Sequence, residues 1–114
     1  MRSHQVIRKA FRMAVHPDSM GEYERRHNPI WPELAAVLTV HGVLEYSIFV
    51  DPVDGSLFGY AEVESEERWA AIADTESCRQ WWISMSALMP GHPDHSPVSR
   101  DLREVFHFAP PAIP

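Results

Sequence analysis

From Val6 to Val15, apolar and charged positions alternate, with Ile7, Phe11, Met13 and Val15 on one side and Arg8 and Arg12 on the other. A period of two predicts a strand, and His16-Pro17-Asp18-Ser19 ends it. From Met20 to about His41 the apolar spacing becomes helical. Pro29 and Pro32 interrupt it, and Gly42 supplies a stop, because proline removes a backbone donor and crowds the preceding turn. Val43 to Val50 reads as a second strand with Leu44, Tyr46, Ile48 and Val50 on one face. Asp51-Pro52-Val53-Asp54-Gly55 is a hairpin turn into a third strand, Leu57 to about Glu64. Ser65 caps the next helix, with Glu66 and Glu67 in its first turn, and Thr75 caps another that carries Trp81, Trp82, Met85 and Leu88 as far as Pro90. A polar loop rich in Pro and His follows, and a last strand is expected over Leu102 to Phe108.

The order is strand, helix, strand, strand, helix pair, strand, which predicts an α+β domain with the ferredoxin-like split βαβ plan. Both helical segments of such a fold cover one face of an antiparallel sheet. The strands here carry aromatic residues on both faces: Phe49 lies opposite Tyr46, and Phe58 and Tyr60 oppose Leu57 and Val63. A bare aromatic face invites association, so two sheets are expected to pack face to face in a homodimer. With neither repeat nor linker, residues 1 to 114 are expected to form one domain, its core spanning about 6 to 108 and its ends flexible.

Composition narrows the partners. The net charge is −6 and Lys9 is the single lysine, leaving no basic patch of the kind that holds nucleic-acid phosphates. Cys78 is the one cysteine; it cannot close an internal disulfide and fits a reducing compartment. The sequence shows neither a membrane-spanning apolar run nor a signal-peptide core, so a cytoplasmic protein without membrane or nucleic-acid partners is expected.

The candidate chemistry gathers in the interrupted helix. Tyr23 and His27 are four apart and share a helix face, and an imidazole titrates near neutral pH, as an acid or base must. The bland alternative is a capping or core histidine beside a packing tyrosine. Trp81 and Trp82 offer flat rings suited to the C–H faces of a sugar, although neighbours on a helix point about 100° apart, so the two rings play different parts. Tyr46 sits mid-strand with a hydroxyl that needs a partner. His92 and His95 have a spacing found in metal sites, yet a loop without a third ligand argues against a metal. Phosphate loops, nucleophile elbows and Cys-x-x-Cys pairs are absent from the sequence.

Taken together, several ordered segments resemble the L-rhamnose mutarotase family from about Val6 to Phe108. They include Arg8-Lys9-Ala10-Phe11, the run from Tyr23 through His27 to Leu34, His41-Gly42 with Tyr46, Glu64 to Trp69, Trp81-Trp82, Met89-Pro90, Pro93-Asp94, Ser96 to Ser99 and Glu104-Val105-Phe106. The resemblance implies a dimeric ferredoxin-like α/β barrel that interconverts the α and β anomers of L-rhamnose without a cofactor or metal. It implies His27 as proton donor, with Tyr23, Tyr46, Trp81 and Trp82 binding the sugar. His92 and His95 depart from the family pattern, where a small polar residue is expected. The same fold serves small monooxygenases and haem-degrading enzymes, and the same aromatics would suffice for a non-catalytic sugar-binding module.

Overall fold

The computed structural model describes residues 6–112. The expected flexibility of the extreme ends, residues 1–5 and 113–114, lies outside the described residues. Four strands, β1 (Ile7–Ala14), β2 (Val43–Val50), β3 (Ser56–Val63) and β4 (Arg100–Leu102), form one antiparallel sheet in the order β2-β3-β1-β4. The first crossover carries α1 (Met20–Arg26) and α2 (Pro32–Val40), and the second carries α3 (Glu66–Ala71) and α4 (Glu76–Met85). This is the split βαβ arrangement that the order of elements predicts.

Local signals set most of the boundaries. The Ser65 and Thr75 hydroxyls accept from the backbone N–H of Arg68 and Cys78, capping α3 and α4. Pro32 occupies the first turn of α2 and holds Trp31 in an extended conformation just before it. Gly55 closes the β2–β3 turn at φ +80°, where a Cβ would lie 2.4 Å from the Val15 carbonyl oxygen. Only glycine fits that approach.

Two expected boundaries are corrected. The helix carrying Trp81 ends at Met85, short of Pro90: the Ser86 hydroxyl donates to the Ile83 carbonyl, and Leu88 N–H donates to Met85 in a further turn. The last strand covers Arg100–Leu102 and does not extend from Leu102 to Phe108. Its register with β1 pairs Ala10 with Leu102 and Arg12 with Arg100. Continued by two residues, that register brings Arg8 opposite Glu104, and these side chains form a bidentate ion pair at 2.9 and 3.1 Å. The same register would set Val105 opposite Ile7, the first residue of β1, so residues from Phe106 on have no β1 partner.

The helices cover one face of the sheet. Met13 from β1, Val15 just past its end and Leu57 from β3 meet Tyr23, Leu34, Trp81 and Met85 in a buried cluster. On the same face, Phe11 lies over Gly59, where a Cβ would fall 2.3 Å from the ring; a side chain there would push Phe11 off the sheet. Phe11 in turn meets Tyr46 edge-on at 6.0 Å and Trp69 at 6.2 Å, and Tyr46 meets Trp69 at 5.7 Å. The opposite face is open: Phe49 and Phe58 pair across β2 and β3 with 63% and 39% of their surface exposed, and the Arg12 guanidinium sits 5.7 Å over the Phe58 ring.

Candidate active site

Helix α1 stops at Arg26, and His27 is its C-cap, its backbone N–H returning to the carbonyls of the last turn. Asn28 adds a side-chain hydrogen bond to the Glu24 carbonyl at 2.8 Å. Pro29 has no N–H with which to continue the helix. The imidazole therefore sits at the corner where the chain turns from α1 towards α2. It lies 4.3 Å from the Tyr23 ring, tilted by 32°, so the expected shared face is realised as a stack. Trp81 meets the same imidazole edge-on at 5.1 Å and 89°, and Trp31 meets Trp81 with the same separation and angle. Tyr23, His27, Trp81 and Trp31, from α1, the α1–α2 corner and α4, thus form one continuous aromatic nest in which Tyr23 and Trp81 touch the imidazole.

An ionic clamp holds α1 in this position. Arg26 donates from Nη1 to the Ser84 carbonyl on α4 at 2.6 Å and from Nε to Glu22 at 2.5 Å. Arg25 binds the same carboxylate, and the two guanidiniums hold Glu22 at about 2, far below the usual carboxylate range. Between the α1–α2 corner and α4 lies an open groove of about 460 Å³ lined by Arg25, Arg26, Asn28, Pro29, Trp31 and Trp81, among others. It shares both tryptophans with the nest.

The ionisable groups of the nest are kept neutral. His27 is half-buried, and loss of water lowers its pKa below the ordinary histidine value, opposed by a smaller effect of its hydrogen bond to the Tyr23 carbonyl. Burial pushes the Tyr23 phenol up to about 12 and the Cys78 thiol up to about 11. Tyr46 is raised as well, chiefly by burial, with Tyr23 and Cys78 as further causes, although 37% of the residue's surface is exposed. Among the described residues no side-chain polar atom is both fully buried and unpaired. Tyr23, which is itself a buried residue, makes no side-chain hydrogen bond among them, so its hydroxyl reaches solvent-accessible space.

The structure thus brings Tyr23, His27 and Trp81 into contact, whereas Tyr46 meets Phe11 and Trp69 on the helix-covered face of the sheet. Trp82 takes a different part, as successive helix positions require: it is half-buried and packs against the core cluster, outside the ring contacts of His27. His92 and His95 are exposed in a loop closed by Asp94, whose carboxylate accepts from the Ser96 N–H and hydroxyl. Among the described residues no group of three or more His, Cys, Asp or Glu converges as a metal site. Sequence reasoning passed over Phe11, Trp69 and Cys78. The three-residue spacing of Cys78 and Trp81 on one helix was a usable signal; the meeting of Phe11 with Trp69 required the sheet register.

A family model described as L-rhamnose mutarotase matches residues 8–108. The chain belongs to the L-rhamnose mutarotase family. A relative named L-rhamnose mutarotase, from Yersinia pestis (strain Pestoides F), is 60% identical over 102 residues, covering 90% of this chain and 98% of the relative. The crystal structure of L-rhamnose mutarotase from Formosa agariphila superposes with a TM-score of 0.82 at 38% identity, covering 90% of this chain and 99% of that one. A putative antibiotic biosynthesis monooxygenase from Nitrosomonas europaea superposes with a TM-score of 0.62 at 11% identity, over 93% and 95% of the two chains. At that identity the likeness extends to the fold, and the ferredoxin-like architecture is common ground. Among the described residues no helix is long and apolar enough to cross a membrane.

Proposed function

We infer that this chain is an isomerase, an L-rhamnose mutarotase that interconverts the α and β anomers by opening and reclosing the sugar ring. Family membership over residues 8–108 supplies the reaction. The observation that carries the site assignment is a half-buried imidazole that bonds the Tyr23 carbonyl through Nδ1, has no partner on its other nitrogen among the described residues, and touches Tyr23 and Trp81, the latter meeting Trp31. Ring opening needs a proton taken from the anomeric hydroxyl and a proton given to the ring oxygen. The resulting aldehyde rotates about its first carbon-carbon bond and recloses on either face. A neutral-range imidazole is suited to such transfers. His27 is the acid/base group, and Tyr23 and Tyr46 orient the sugar hydroxyls. Trp81 presents a ring to the sugar's C–H face and helps exclude water, with Trp82 supporting it from the core.

Polarimetry on freshly dissolved crystalline L-rhamnose tests the reaction. The protein should shorten the approach to equilibrium rotation in proportion to its concentration. A sugar-binding module would bind rhamnose and leave that time course unchanged, and a monooxygenase would consume oxygen.

The active unit is a homodimer in the cytoplasm. The open sheet face with Phe49 and Phe58, together with exposed Val105, Phe106 and Phe108 beyond β4, is the surface that supports the dimer. Sedimentation equilibrium should return twice the chain mass of 13.1 kDa. Phe49→Glu with Phe58→Glu should shift it to the monomer. A wild-type monomer at all concentrations tested would remove the dimer.

A further inference from the structure

His27 Nδ1 lies 2.8 Å from the Tyr23 backbone carbonyl oxygen. A carbonyl only accepts, so the proton of the neutral ring resides on Nδ1, and Nε2 carries the lone pair. The same bond recurs at the C-cap of α2, where His41 Nδ1 reaches the Val37 carbonyl at 2.8 Å. By itself the contact is a way of ending a helix. At His27 it does more, because the ring that it orients is enclosed by Tyr23 and Trp81.

We propose that His27 starts the reaction as a base through Nε2, and that this one nitrogen serves both transfers, taking the proton from the anomeric hydroxyl and returning it to the ring oxygen. This rests on the mutarotase reading. The step balances without another reactant. The O1–H bond breaks as N–H forms at Nε2; the C1–O1 carbonyl forms as the C1–O5 bond breaks; the proton then passes from Nε2 to O5. The imidazole is neutral before and after, and closure on the opposite face runs the same transfers backwards. The proton donation that the family resemblance assigns to His27 becomes the second half of the cycle.

The surroundings favour one shuttling nitrogen over a separate acid. From α1 the ring faces Tyr23, and from α4 it faces Trp81; Tyr46 on β2 meets Phe11 and Trp69. Burial keeps both tyrosines and the Cys78 thiol protonated, and a phenol raised to about 12 is a poor proton source. On the same helix Glu22 is turned to Arg25 and Arg26, and Glu24 is exposed with no ion pair among the described residues. Neither a carboxylate nor a guanidinium is among the causes of the lowered His27 pKa.

Two measurements on the wild-type protein decide it. Long-range proton-nitrogen NMR on labelled protein should find neutral His27 protonated at Nδ1, with Nε2 at the shift of an unprotonated nitrogen. The rate constant for rhamnose anomer exchange should rise with pH through the His27 pKa, below the ordinary 6.5, and stay level above it, because the unprotonated ring is the reactive form. Protonation at Nε2 in the neutral ring overturns the proposal, as does a rate that falls with increasing pH through the His27 titration. Absence of exchange at every pH overturns the mutarotase reading itself and the proposal with it, whereas a wrong tautomer in an active enzyme overturns the proposal alone.

Discussion

Replacing His27 by Asn lowers the rate of rhamnose anomer exchange by about 10² to 10⁴-fold, the usual contribution of a positioned proton-transfer group, equivalent to roughly 3 to 5 kcal/mol of barrier. Asparagine is short and polar and can still donate an amide N–H towards the Tyr23 carbonyl, now accepting from Nδ1 at 2.8 Å. The fold and the sugar's other contacts should therefore persist. The signature is a loss in kcat with little change in KM, because the imidazole is used in the transition state more than in binding. A variant as fast as wild type would take His27 out of the mechanism.

Trp81→Ala should be the most destabilising single change in the site, at about 3 to 5 kcal/mol, because it empties a large buried volume. Trp81 is 8% exposed and belongs to the core cluster while touching both His27 and Trp31. Against a total stability of about 5 to 15 kcal/mol for a domain of ordinary size, that loss is a large share. In urea it moves the unfolding midpoint by about 2 M, given a dependence of about 1 to 3 kcal/mol per M. Trp81→Phe keeps a ring beside the imidazole, so it should retain most of the stability while raising KM for rhamnose. A midpoint for Trp81→Ala within about 0.3 M of wild type, on the same urea scale, would show that the ring is not part of the core.

Both expectations depend on features whose legibility in the sequence differs. Pro29 and Pro32 announce the break that leaves His27 at a helix end, and the four-residue step from Tyr23 announces the shared face. Both follow from local chain geometry, which acts over a few residues. Ser65, Thr75 and Gly55 likewise mark element ends through bonds to near neighbours or through a conformation that only glycine accepts. The last strand is displaced from the expected Leu102 to Phe108 because its place is set by its partner, some ninety residues away: the register with β1 pairs Arg100 with Arg12 and Leu102 with Ala10. Helix α4 ends at Met85, before the expected Pro90, because a proline marks where a helix must have ended and says nothing of an earlier turn.

The partition of Trp81 and Trp82 shows what periodicity can and cannot supply. The 3.6-residue period separates the two rings by about 100°, so their different fates were readable. Which one meets His27 depends on how α4 lies against α1, and a contact between the Arg26 guanidinium and the Ser84 carbonyl sets that. The Phe11–Tyr46–Trp69 group was invisible for the same kind of reason: its members come from β1, β2 and α3, and Phe11 finds room only because Gly59 stands opposite it in the register. The tautomer of His27 is not legible in the sequence, since it follows from a single hydrogen bond to the Tyr23 carbonyl.

Saturation-difference NMR on a mixture of aldoses at equilibrium tests the central claim most directly, because it reads anomer exchange without a coupled enzyme. The wild-type protein should accelerate exchange between the two L-rhamnose anomers well above its effect on sugars that lack the 6-deoxy group or differ in hydroxyl orientation, and the His27→Asn protein should lose that acceleration. Exchange of L-rhamnose no faster than in buffer, or equal acceleration of every aldose in the mixture, would contradict the account.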